Sequence, residues 1–168
     1  MTAAGDAGTR SVTIGPRVER EHPLTRIQDQ IWSSQRIFRD APLANMAKLH
    51  RITGLLDPDR LVSSFDEVVR ESDALRSVIV DRVGQEPTVR VLDAPPATTE
   101  VVDLPSGEVE AWVRARIATP IDATSCAYDS VLFRHGDDDW TWWLDLHHLV
   151  TDAWGASEIY RACAWTAL

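Results

Sequence analysis

Cysteine is scarce in this chain of 168 residues: Cys126 and Cys163 are the only two. Two thiols this far apart give neither a disulfide framework nor a metal-ligand spacing, and they point to a reduced pair in a cytoplasmic protein. Basic charge is also in deficit. Seventeen Lys+Arg stand against 26 Asp+Glu, a formal net charge of −9, which leaves no basic surface for a nucleic-acid backbone. Long apolar runs are missing too. Nothing approaches the roughly 18–20 apolar residues of a membrane span, and Met1–Arg20 holds no apolar core of a signal peptide. Neither internal repeats nor low-complexity tracts occur. What remains, 44% hydrophobic and 26% charged residues, is the composition of a globular domain with a core of its own.

The first twenty residues, small and polar, read as a mostly flexible lead-in with one short strand at Ser11–Ile14. From Pro23 onward the pattern is periodic. Leu24, Ile27, Ile31, Trp32 and Phe38 recur at helical spacing behind Thr25 as N-cap, predicting a helix over Arg26–Phe38 that Asp40-Ala41-Pro42 stops. Met46–Thr53 alternates as a strand and closes at Gly54. Asp57 as N-cap and Pro58 at the first helical position start a second helix with Leu61, Phe65, Val68, Val69 and Leu75 on its apolar face. Ser77–Arg82 and Pro87–Leu92 flank Gly84-Gln85-Glu86 as a hairpin. A short strand Thr99–Asp103, a helix Glu108–Ala118 capped by Ser106, and strands Tyr128–His135 and Trp140–His148 follow, with a last helix from about Ala153. The order predicts an α+β fold, an α/β sandwich in which helices pack on a mixed sheet.

The segment WTWWLDLHHLVTDAWG, Trp140–Gly155, carries the chemistry. A strand period of two puts Trp140, Trp142, Leu144, Leu146 and His148 on one face, and Thr141, Trp143, Asp145 and His147 on the other. The adjacent histidines therefore point opposite ways and cannot share one task. His148, at the rim of an apolar wall, is suited to act as a general base, because desolvation favours its neutral form. His147 lies two residues from Asp145 on the same face, and a structural hydrogen bond between them is expected. Asp152 follows four residues after His148 and can orient the loop or hold an arginine. A metal site of His147, His148 and Asp152 lacks a further ligand nearby. The three tryptophans, on both faces of one strand, read as core. Asp137–Asp139 reads as a solvated hairpin tip.

These residues resemble the His-His-x-x-x-Asp-Gly motif of nonribosomal peptide synthetase condensation domains. The resemblance extends to Pro23-Leu24-Thr25 with Gln28 and Ile31-Trp32, to Leu56-Asp57 with Leu61, Phe65 and Val69, to Asp73-Ala74-Leu75-Arg76, and to Pro120-Ile121-Asp122. It covers about Pro23 to Tyr160, in the family's order. It implies the fold of chloramphenicol acetyltransferase, with residues 21–168 as the N-terminal of two lobes and no C-terminal lobe in this chain. It implies an acyltransferase that joins a thioester on a carrier protein's phosphopantetheine arm to an amine or hydroxyl. It further implies His148 as the catalytic residue, His147 as a structural one, and Asp152 in a buried ion pair with Arg76. No metal or diffusible cofactor is implied; the partners are carrier-protein domains and a second lobe, with no nucleic acid and no membrane. The chain departs from the motif at Ala153, which replaces its glycine, while Gly155 follows two residues later. The family's Asp-Phe-Gly-Trp element is absent before Leu168. The second expectation is therefore a non-catalytic lobe: a fragment, or a docking module for carrier proteins.

Overall fold

The computed structural model describes residues 20–167, so the lead-in and the strand expected at Ser11–Ile14 lie outside the described residues. The elements run β1 (Arg20–Pro23), α1 (Arg26–Ile37), β2 (Asn45–Thr53), α2 (Pro58–Glu71), β3 (Ser77–Val80), β4 (Thr88–Val91) and β5 (Glu100–Asp103). They continue with a 3-10 turn (Ser106–Glu108), α3 (Val109–Ile117), β6 (Tyr128–Arg134), β7 (Asp139–His147) and α4 (Ala153–Ala167).

The caps read from sequence form. Thr25 Oγ1 accepts the Gln28 N–H while Gln28 Oε1 accepts the Thr25 N–H, a complete capping box. Asp57 Oδ1 accepts the N–H groups of Asp59 and Arg60 ahead of α2. Ser106 does not cap α3. It opens the 3-10 turn, and no side-chain hydrogen bond caps that turn or the helix after it. The hairpin turns at Gly84, whose φ of +77° suits a residue without Cβ.

The strands divide between two sheets. β1, β4 and β3 form an antiparallel sheet; β2, β7, β6 and β5 form a mixed one, with β5 parallel to β6 and the other pairs antiparallel. A parallel pair needs a crossover, and α3 supplies it between β5 and β6. Helices cover the mixed sheet on both faces. Trp140, Trp142, Leu144 and Leu146 meet Leu61, Phe65 and Val69 of α2 and Ile159 and Cys163 of α4. Trp143 meets Val109 and Trp112 on the α3 side, together with Val131 and Phe133. Covering both faces explains why β7 is buried without a break from Trp140 to His147, its polar residues included. A third cluster gathers Trp32 of α1, Ile79, Val89, Ala123 and Leu149. In α1 only part of the expected stripe is buried: Trp32 packs inward, whereas Ile27 and Phe38 are exposed.

Candidate active site

The site is the turn between β7 and α4. β7 ends at His147, one residue earlier than its sequence pattern predicts, although the His148 N–H still donates at 2.8 Å to Ala44 O, the partner that the β2–β7 register sets opposite it. The Val150 N–H then donates to His147 O at 3.0 Å and closes the turn. Leu149 is buried in the cluster under α1. Its carbonyl accepts a hydrogen bond from Gln28 Nε2 at 3.1 Å. The backbone on both sides of His148 is thus fixed while the residue itself is exposed.

It is His147, not His148, that is fully buried. His147 Nδ1 accepts the Leu149 N–H at 3.1 Å, so the ring carries its proton on Nε2, which has no partner among the described residues. Burial first, then the neighbouring His148, pushes its pKa down to about 4. The ring is neutral at physiological pH. The hydrogen bond expected between His147 and Asp145 does not form. Asp145 Oδ2 instead accepts from Asn45 Nδ2 at 2.8 Å, and its Oδ1 has no partner among the described residues. Burial raises the Asp145 pKa to about 6 against the opposing pull of that Asn45 bond. Asn45 also donates to Thr119 O and accepts the Ile121 N–H, pinning the Pro120-Ile121-Asp122 loop to the same strand end.

The ion pair expected between Asp152 and Arg76 is not made. Arg76 is nearly buried and binds Asp73 at 2.7 Å and the Leu92 carbonyl. Asp152 is exposed and accepts the Gly155 N–H at 2.8 Å, which makes it the N-cap of α4. The reason is local: Asp73 lies three residues from Arg76 and needs no long-range closure. Ala153 occupies the first position of α4, exposed, and no non-glycine residue among those described has positive φ. The motif glycine's freedom is therefore not required there. The crowded position is Gly155, where a Cβ would stand 2.3 Å from Thr151 Oγ1.

Residues 18–163 match the family model of the condensation domain. The chain belongs to the condensation-domain family. Among curated relatives, this condensation domain is 30% identical over 157 residues to an isonitrile lipopeptide synthase of Streptomyces coeruleorubidus, covering 87% of this chain and 10% of that protein. It is 28% identical over 159 residues to a dimodular nonribosomal peptide synthase of Bacillus subtilis, covering 88% of this chain and 6% of the relative. Among solved structures it resembles the starter condensation domain of rhizomide synthetase, with a TM-score of 0.79 and 25% identity over 88% of this chain and 38% of the other. A variant of that domain, 26% identical, is solved in complex with C8-CoA and Leu-SNAC. The α+β architecture expected from the order of elements is borne out.

No group of three or more His, Cys, Asp or Glu side chains among the described residues could hold a metal ion, and no described helix of the condensation domain is long and apolar enough to cross a membrane. A cavity of about 580 Å³ lined by Trp32, Arg36, Asp81, Arg82 and Ile121 does not include His148. Two residues that shape the turn, Ala44 and Asn45, carry no sequence signal of their own. They matter only because β2 pairs with β7 in the register that sets Asn45 opposite His147.

Proposed function

We propose that this condensation domain contributes His148 to acyl transfer in nonribosomal peptide biosynthesis, as the N-terminal lobe of the catalytic unit. The observation that carries the reading is the pairing of an exposed His148 with a backbone held on both sides, by Ala44 and by Gln28. The donor is an acyl, aminoacyl or peptidyl thioester on a carrier protein's phosphopantetheine arm. The acceptor amine, or hydroxyl, attacks the thioester carbonyl carbon; the new C–N or C–O bond forms, the C–S bond breaks, and the thiol leaves. His148 receives the proton shed by the nucleophile and returns it to the departing sulfur, or holds the nucleophile in line. A relay of this kind contributes about 10²–10⁴ in rate. The thioester is already activated, so the step calls for no metal and no diffusible cofactor. His147, buried and neutral, supports the turn, Asp152 caps α4, and Arg76 ties the end of α2 to β4. The reaction belongs in the cytoplasm, where the carrier proteins are.

The second reading is a lobe without turnover of its own. The chain spans 38% or less of the length of the solved relatives quoted above, and His148 is exposed rather than enclosed. The test is product formation, followed by mass spectrometry, with loaded donor and acceptor carriers and a second lobe supplied. His148→Ala is expected to lower the rate at least about 100-fold; undiminished product would sink the catalytic assignment. The 168 residues alone are expected to give no product, and turnover by them would overturn the second reading.

A further inference from the structure

We infer that Gln28 is a positioning residue for His148, holding the catalytic turn from a helix distant in sequence; this rests on the reading of His148 given above. Gln28 uses both ends of one amide. Its Oε1 accepts the Thr25 N–H at 3.0 Å and completes the capping box of α1, while its Nε2 donates to Leu149 O at 3.1 Å. Capping alone is satisfied by Glu as well as by Gln, and only the amide can accept and donate at once.

The bond falls on the peptide unit that fixes the turn. The carbonyl of Leu149 and the N–H of Val150 belong to one peptide plane; Gln28 holds the first and His147 O accepts from the second at 3.0 Å. The preceding plane, between His148 and Leu149, is held by the Leu149 N–H on His147 Nδ1. The His148 N–H is held by Ala44 O. With each of these peptide planes fixed, the direction of the His148 Cα–Cβ bond is set by the scaffold, and the ring keeps only its own rotamers. Leu149 packs in the same cluster as Trp32, so α1 carries both the apolar anchor and the polar clasp of the turn. The amide thus couples the N-terminus of α1 to the orientation of His148.

Gln28→Glu separates the two tasks, since the carboxylate still accepts the Thr25 N–H but sets an anion against the Leu149 carbonyl. Hydrogen exchange and NMR on the full chain are the readout. The Val150 and Leu149 amides should lose about three- to tenfold in protection, the worth of one ordinary hydrogen bond. The Gln28 amide and the amides of α2 should stay within about twofold, and the His148 Cε1–H line should broaden. Gln28→Met should loosen the turn and the start of α1 together. In the reconstituted acyl transfer, Gln28→Glu should lower kcat several-fold at unchanged KM. Unchanged protection at Val150, an equal loss across α1, α2 and the turn, or an unchanged kcat would each overturn the inference. Failure of the His148 reading is distinct: there His148→Ala leaves product undiminished, whatever the exchange data show.

Discussion

His147 and His148 are neighbours in the chain, yet one is fully buried and the other exposed. Strand alternation predicts that they diverge; it does not predict which of them loses water, because that depends on where β7 stops. Burial lowers the His147 pKa and raises that of Asp145, so the two act on stability with opposite sign. A histidine depressed from 6.5 to about 4 contributes fully above pH 6.5 and less as pH falls toward 4, since the unfolded chain then binds the proton that the folded chain refuses. A carboxyl raised from 3.8 to about 6 behaves in reverse: its folded form gains relative stability as pH falls from 6 to 3.8. Between pH 7 and 5 the two contributions largely cancel. Asp145→Asn removes one side, and its unfolding free energy by urea titration should fall about 1 kcal/mol more over that interval than the unmodified chain's. Equal slopes would show that Asp145 is not the compensating group.

At the scale of elements, the capped helices and the hairpin were legible because their signals are local. Thr25 with Gln28, Asp57 with Pro58, and Gly84 each act within four residues. β1 was not legible. Its four residues, Arg20–Pro23, are all exposed and hold no alternation, and it is a strand only because β4 offers an edge. Ser106 misled because a serine before a helical run also suits a 3-10 turn, which takes up that stretch here. The start of α4 shows the same limit. A buried Arg76–Asp152 pair would make loss of Asp152 cost about 3–5 kcal/mol. As an exposed N-cap on Gly155, its replacement by Ala should cost about 1 kcal/mol, and Asp152→Asn, which still caps, only a few tenths. Thermal unfolding of the two variants decides between the two roles.

At the scale of the whole molecule, the two sheets meet at the turn that follows β7. Leu149 packs with α1, β3 and β4, whereas Val150 touches that cluster and also the one between β7, α2 and α4. Leu149 and Val150, the two residues after His148, therefore form a hydrophobic seam between the two halves. Leu149→Ala should cost about 2–5 kcal/mol, with exchange protection lost first in α1, β3 and β4. A loss confined to the turn would show that the two sheets are held together elsewhere. By itself the sequence determined the family, the element order, the two faces of β7 and the residue types at the turn, because periodicity, caps and motif spacing are properties of the chain alone. Only the tertiary structure decided which histidine is buried, that Asp145 closes on Asn45, and that Gln28 reaches Leu149. Burial and pairing depend on which segments distant in sequence converge. Here Ala44, just ahead of β2, and Gln28 of α1 both close on the end of β7, and no spacing along the chain encodes that meeting.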